Sequence, residues 1–412
     1  MKIKKPELLL PAGNPEKFSS AIRFGADAVY LAGKEFGLRS AADNFTLDEL
    51  ENAIKKAHSL SKKVYITINA TPRCDEYPQL EEYLKSLDGI SPDAFIVASP
   101  GVIDLCQKIL PGVDIHLSTQ AGAVSAEDCN FWHRMGVSRV VLARELSFSD
   151  IKKIKSSISE ELELEAFIHG SMCVSWSGRC LLSKHLTGRD ANEGKCTQPC
   201  RWNFNLYEIE EEKRLGERFP VYETNLGTFI MSSKDMCMIE HIPELVSSGV
   251  ASFKIEGRMK SAYYAAICAN VYRMAIDAYL ASPDDYAYDP RWLEELETVS
   301  HREYCTGYYF SEPSYDIQVV TKPGYIAEKG YLARVISYDE NTHRATLFQK
   351  NKMLNDSTAE LVSPGALGIK FTVSDMQDEN GAPIDSAPHP KMIFSIKTPI
   401  PMRAGDLIRS AD

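Results

Sequence analysis

The segment ELLLPAGNPEKFSSAIRFGADAVYLAG, Glu7 to Gly33, opens with a β-rich run at residues 7–11. It crosses a glycine and a proline, continues in a helical pattern over 15–24, and returns to a β-rich run at 28–32. Strand, helix and strand in this order is the sequence form of a βαβ unit, with two parallel strands joined by a crossover helix. The pattern repeats downstream. Further β-rich runs fall at 64–69 (VYITIN), 94–98 (AFIVA), 114–118 (DIHLS), 139–143 (RVVLA), 162–168 (LELEAFI) and 252–256 (SFKIE). Helical patterns lie between them at 46–60, 101–110, 125–135 and 147–157. Thr46 followed by Glu49 is a capping-box signature. Eight such strands predict a closed, TIM-like (β/α)8 barrel. A doubly wound open sheet is the alternative, but no G-x-G-x-x-G turn supports a dinucleotide site.

The chain has 412 residues, 44% hydrophobic and 25% charged, with a formal net charge of −11. This is globular composition with length for a large domain and a smaller one. The N-terminal MKIKKPELLLPAG carries an apolar run too short for a signal peptide core or a membrane span, so a cytoplasmic protein with no membrane partner is expected.

The connection between the seventh and eighth predicted strands is far longer than a normal barrel loop, which points to function. A helix over 234–247 is expected to close it. Beyond a long helix at 260–280, the sequence turns to short strands: YLARVISYD, RATLFQK, ALGIKFTV, KMIFSIK and DLIRS. These predict a small antiparallel β-barrel. The expected division is a barrel over 1–282 with an insertion at 170–235, a connecting segment at 283–322, and the small domain at 323–412. From Pro323 onward there are 10 Lys and Arg against 11 Asp and Glu, so nearly all the net negative charge lies on the large domain.

The insertion holds four of the ten cysteines, in GSMCVSWSGRC and KCTQPCRW, spaced C-x6-C-x15-C-x3-C. In a cytosolic protein clustered cysteines read as metal-binding or catalytic rather than as disulfides. The spacing lacks the C-x2-C knuckles of a zinc ribbon and the C-x3-C-x2-C run of a radical enzyme. An iron–sulfur cluster, zinc, and reduced structural thiols all stay open on spacing alone. Cys106 and Cys268 sit in apolar helical patterns and read as buried filler.

The stretch EAFIHGSMCVSWSGRCLLS, residues 165–183, resembles the signature of the collagenase-like family of unassigned peptidases. The matching positions are Glu165, Phe167, Gly170, Ser171, Cys173, Gly178, Cys180 and Ser183. ELLLPAGN, SSKDM and SFKIEGRMKS are similar to further blocks of that family. The resemblance spans nearly the whole chain. It implies an oxygen-independent hydroxylase with a 4Fe–4S cluster. One branch of the family acts on quinone precursors, and another hydroxylates the wobble uridine of tRNA and depends on prephenate. Chain length and CTQPC are similar to the tRNA branch, which makes tRNA, not DNA, the expected partner. Carried over residue by residue, the implied ligands are Cys173, Cys180, Cys196 and Cys200, with Cys237 as the alternative fourth thiolate. The peptidase activity in the family's label finds little chemistry here. H-E-x-x-H and G-x-S-x-G are absent, and His169 near Cys173 is the sole nucleophile–base candidate.

Groups just after the predicted strands should line the barrel mouth. These are Asn69, Gln120, Arg144, Glu145, His169, Glu256 and Arg258, with Arg39 in the second βα loop. Arg39, Arg144 and Arg258 are candidates to bind a dicarboxylate such as prephenate through guanidinium forks. His169, Glu256 and Gln120 are the candidate catalytic groups, His169 and Glu256 for proton transfer. His169 equally suits a loop hydrogen bond, and Glu256 a pairing with Lys254 or Arg258. Trp176 and Trp202 beside the cysteines are candidates to stack on a base, or to cover the cluster. Lys329, Arg334, Arg344, Lys350 and Lys352 of the small domain, and Lys184, Arg189, Lys195 and Arg201 of the insertion, are candidate phosphate contacts.

Overall fold

The computed structural model describes residues 4–38, 43–173, 175–176, 179–202, 222–224, 227–229, 233–310, 326 and 329–411. The first seven strands are β1 (Glu7–Pro11), β2 (Ala28–Leu31), β3 (Lys63–Ile68), β4 (Ala94–Val97), β5 (Asp114–Leu117), β6 (Arg139–Val141) and β7 (Glu163–Ser171). Each pairs in parallel with the next. Inside the insertion lie a short helix α7 (Leu182–Thr187), the hairpin β8 (Tyr222–Thr224) and β9 (Gly227–Phe229), and the strand β10 (Asp235–Cys237). The eighth barrel strand is β11 (Ser252–Ile255), and it closes the ring by pairing with β1 on one side and β7 on the other. The expected (β/α)8 barrel is therefore the fold of the large domain.

Local sequence explains the outer helices. α1 (Pro15–Arg23) begins with Pro15, and the Asn14 carboxamide oxygen accepts from the Lys17 amide at 2.9 Å. In α2 (Leu47–Ser59) the predicted Thr46–Glu49 capping box is formed in both directions. α3 (Tyr77–Ser86), α4 (Pro100–Ile109), α5 (Ala126–Arg134) and α6 (Phe148–Ser157) complete the ring before the insertion.

The helix expected over 234–247 is corrected. Its first residues form β10, which runs antiparallel to the end of β7 with Asp235 opposite Ser171. A 3-10 turn follows at Ile239–His241, and the α-helical part is confined to Ile242–Ser247 (α8), where Pro243 in the first turn is suited to starting a helix. The exposed edge left by the long β7 is thus covered by the returning chain. β12 (Tyr304–Cys305) then extends the sheet beside β10. Between β11 and β12 run α9 (Ala262–Ala281) and α10 (Arg291–Glu297). Trp292, Leu296, Val299, Tyr308 and Tyr309 join the barrel's hydrophobic core, so residues 291–310 pack as part of the large domain.

The C-terminal sheet contains β13 (Tyr331–Asp339), β14 (Arg344–Gln349), β16 (Thr358–Val362), β17 (Ile369–Thr372), β18 (Ser374–Asp378), β20 (Ile393–Lys397) and β21 (Leu407–Ser410). Its order is β17-β16-β21-β13-β14-β20-β18, and every pairing is antiparallel. β15 (Met353–Leu354) and β19 (Ser386–Ala387) form a separate pair. The sheet curls into a half-barrel rather than a full one. β17 and β18 stand at its two edges, and β16 and β18 have no counterpart in the sequence reading.

The small domain is fastened to the barrel's flank. Arg409 is 2% exposed and binds Glu295 Oε2 at 2.6 Å, the Tyr263 hydroxyl at 3.2 Å and its own domain's Glu360 at 2.7 Å. Asn270 of α9 donates to the Ala366 carbonyl at 2.8 Å and accepts from the Gly365 amide at 2.7 Å. Several expected phosphate contacts are used up in this way. Lys350 pairs with Glu16 of α1 at 2.6 Å, Lys329 with Glu360 at 2.7 Å, and Arg344 with Asp375. Lys350 is thus a domain-interface residue, while Lys329 and Arg344 pair within the small domain.

Candidate active site

The βα loops of the barrel and the cysteine insertion enclose a cavity of about 180 Å³. It lies at the C-terminal ends of the strands, where barrel active sites are built. Tyr30, Thr67, Asn69, Ile96, Ser118 and Gln120 come from strands two to five and the loops that follow them. Arg144 follows β6, Phe167 and Ser171 come from β7, and Lys254, Glu256 and Arg258 come from β11 and its loop. The insertion contributes Cys173, Trp176, Cys180, Cys196, Gln198 and Cys200.

All four clustered cysteines face this one cavity, and none is in a disulfide. The Gln198 amide donates to Cys196 Sγ at 3.4 Å, from a residue in the left-handed region (φ +57°). Among the described residues no trio of His, Cys, Asp or Glu is gathered tightly enough to hold a metal ion. The thiols share a wall without forming a preassembled ligand set. Their number, softness and common exposure to the cavity fit a thiolate-held cluster. Cys237 does not share it. Cys237 is buried on β10, 3.8 Å from the Tyr272 hydroxyl, and burial pushes its thiol up to about 12.

The cationic groups divide by partner. Arg258 is 3% exposed and donates to Thr67 Oγ1 at 2.7 Å and to the Leu38 carbonyl. That guanidinium ties the second βα loop to the mouth. Arg144 lies 4.0 Å over the Phe167 ring and 3.8 Å from Glu256 Oε2, so its fork faces the cavity with only a loose ion pair. Arg39 lies outside the described residues. Gln120 and Asn69 line the cavity, and the Asn69 carboxamide accepts from the Leu38 amide at 3.1 Å. Glu256 lines it too, with the Tyr30 hydroxyl 3.4 Å from Oε2.

His169 is the candidate that the structure removes from the cavity. β7 and β11 slip register between Lys254 and Ile255, and His169 turns into a buried pocket of rings. Tyr264, Tyr272 and Tyr304 surround it at centroid distances of 5.4 to 5.9 Å. Its Nε2 meets no hydrogen-bond partner. Burial lowers its pKa to about 3, and the Asp235 charge opposes this only in part. His169 is thus a neutral, buried imidazole whose Nδ1 lies 3.4 Å from the Tyr272 hydroxyl, while its backbone carbonyl, not its ring, accepts from the Glu256 amide at 2.9 Å.

The sequence reading missed Lys254 as a cavity group. Its Nζ lies 4.6 Å over Tyr30, 5.5 Å over Phe167 and 2.7 Å from Glu165 Oε1. Strand alternation carries the signal, because Lys254 and Glu256 share a face two residues apart. Below Lys254 the barrel interior is polar. Glu165 is 3.3 Å from Arg139 Nη1, which also meets Glu7 at 2.7 Å, while Arg139 Nη2 is 2.6 Å from Glu163. The Tyr65 hydroxyl donates to Glu7 at 2.6 Å, and His116 packs edge-on to Tyr65 at 4.6 Å. Burial, with the charges of Arg139 and Lys254 nearby, holds His116 neutral well below its usual pKa.

A pH dependence follows. Unfolded chains take up a proton on each histidine below about pH 6.5, whereas folded His116 and His169 do not. The unfolded state then binds more protons, so stability falls as pH drops. The slope approaches about 1.4 kcal/mol per pH unit for each histidine. Urea midpoints measured at neutral pH and at about pH 5 should show this loss, and His116→Phe with His169→Phe should flatten it. An unchanged acid slope in the double variant would contradict the assignment.

The architecture defines a (β/α)8-barrel protein with a cationic, cysteine-walled cavity at its C-terminal face. Residues 13–318 match the model of Peptidase family U32, and residues 328–409 match that of the Peptidase family U32 C-terminal domain. The chain belongs to this family. It is 40% identical over 394 residues to "tRNA hydroxylation protein P1" of Bacillus subtilis, covering 96% of this chain and 92% of that one. It is 35% identical to "tRNA hydroxylation protein P" of Escherichia coli, covering 93% and 92%. A 23S rRNA 5-hydroxycytidine synthase of Escherichia coli is 32% identical over 326 residues, which is 78% of this chain and 47% of that one.

Proposed function

We propose that this protein is an RNA-modifying enzyme that hydroxylates the wobble uridine of tRNA without dioxygen, with a 4Fe–4S cluster and prephenate as co-substrate. RNA hydroxylation is supported by the names of three relatives that match most of this chain. The observation that carries the reading is the convergence of Cys173, Cys180, Cys196 and Cys200 on one cavity with Arg144, Lys254 and Glu256. Those four cysteines would hold the cluster, which supplies one-electron chemistry when bound.

The remaining roles belong to the chain itself. The cavity presents Arg144, Arg258 and Lys254 beside Glu256, with Glu165 already paired to Lys254 behind the floor, which leaves a net positive wall that favours an anionic ligand. Arg144 offers the bidentate fork for a carboxylate, and Lys254 a point charge at the floor. Glu256 Oε2 is placed to take or return a proton. Gln120 and Asn69 bring amides that pair with the imide edge of a uracil. Tyr30 and Phe167 keep the floor dry. The peptidase reading lacks its machinery, since Cys173 lines the cavity and His169 is buried away from it.

Nucleosides from tRNA of a deletion strain should lack the hydroxylated wobble uridine, and the wild-type chain should restore it. Arg144→Ala should raise the KM for prephenate about 10- to 100-fold, the loss expected for a charged hydrogen-bond pair. A deletion strain with unchanged tRNA nucleosides would overturn the function.

A further inference from the structure

We propose that the exposed face of the cysteine insertion is a stacking platform for unpaired RNA bases that flank the target nucleotide, with Trp176 at the cavity edge and Trp202 beside the fourth cysteine. This rests on the RNA reading above and assigns the surface that would recognise the substrate.

Among the described residues, four large apolar side chains stand out of the insertion: Trp176 and Trp202 each 40% exposed, Leu181 65% and Leu186 46%. Both indoles are held in place. Trp202 Nε1 donates to the Thr197 carbonyl at 3.2 Å, which fixes the ring's edge. Trp176 lies against the loop after β5, with Nε1 only 2.9 Å from where a Cβ on Gly122 would sit. Gly122 has φ +72°, so glycine serves both the left-handed backbone and the close approach of the indole. Trp176 also lines the cavity, beside Gln120 and the cysteines, and so continues the site onto the surface. Aromatic rings immobilised before binding cost little entropy to use.

Charge selects the occupant. Residues 173–202 carry five Lys and Arg against two Asp and Glu, on a chain of net charge −11. The two acids are already paired, Asp190 with Lys184 at 2.9 Å and Glu193 with Lys195 at 3.0 Å. Arg179 and Arg189 are exposed in the same stretch. Fixed aromatic rings interleaved with cations suit a polyanion whose bases are free to stack, which is single-stranded RNA. A duplex keeps its bases stacked internally and would use only the cations.

The test compares binding of an anticodon stem-loop oligoribonucleotide and of a fully paired RNA duplex to the full-length chain, purified without oxygen. Trp176→Ala and Trp202→Ala should each weaken stem-loop binding about tenfold, the cost of one lost base stack. Duplex binding should not change, and Trp176→Phe and Trp202→Phe should recover most of the loss. Arg189→Glu should weaken both RNAs. Alanine variants with wild-type iron content and circular dichroism that bind the stem-loop like the wild type would overturn the platform, while active wild-type enzyme would leave the function standing. Wild-type protein that binds neither RNA at low salt would remove the platform together with the RNA reading. Trp-dependent binding to anionic phosphatidylglycerol vesicles without RNA binding would replace this partner with a membrane surface.

Discussion

Cys173→Ser, Cys180→Ser, Cys196→Ser and Cys200→Ser should each strip most of the bound iron and reduce tRNA hydroxylation by at least about 100-fold, while Cys237→Ser should leave both nearly unchanged. A serine hydroxyl is harder and far less acidic than a thiol, so one replacement weakens a four-thiolate site. The structure separates the fifth candidate on position. Cys200 lines the cavity with the other three, whereas Cys237 is sealed between β10 and α9 with its thiol pushed up to about 12 by burial. A protonated thiol behind the barrel wall is a poor ligand for anything at the mouth. Iron content per chain and turnover on tRNA are the measurements. Iron retained in Cys200→Ser but lost in Cys237→Ser would reverse the assignment.

Arg139→Met should cost about 3–5 kcal/mol of folding stability, the typical penalty for removing one partner from a buried ionic cluster. Arg139 is 4% exposed and holds Glu7, Glu163 and Glu165 together. Without it the enclosed carboxylates of Glu7 and Glu165 lose their shared cation, with Lys254 left to offset Glu165, while Glu163 at the rim is partly solvated. Denaturant unfolding monitored by circular dichroism should show the loss. Lys108→Ala, which removes an exposed pair with Asp104 on α4, should hardly move the midpoint. A small effect at Arg139 would mean that the polar interior is not needed for the barrel to close.

These two predictions differ in how visible their residues were in the sequence. The barrel was legible because its signal is local: each strand is a short apolar run, and several helices carry their own caps, as at Asn14 and Thr46. The cysteines were legible because they crowd into one insertion. The interior network was not, because Glu7, Tyr65, Arg139, Glu165 and Lys254 are scattered over most of the chain and meet only when the barrel closes. His169 misled for a related reason. It follows the strand's apolar run, but a register slip between two strands turns its ring out of the cavity, and a slip between partners leaves no mark in either sequence. Lys350 reads as a free surface cation in sequence, but it lies just after β14 and pairs with Glu16 of α1, a partner far removed in the chain. The three residues of β10 are too few to show a period in the sequence, and the open edge of β7 decides their conformation.

The direct measurement of the central claim is made on protein purified without oxygen. Iron and acid-labile sulfide are quantified, and the protein is then incubated with unmodified tRNA and prephenate before the nucleosides are weighed. The account predicts a brown, iron- and sulfide-loaded protein that adds one oxygen to the wobble uridine and does so only with prephenate present. A colourless, zinc-loaded protein that leaves the uridine untouched would contradict it.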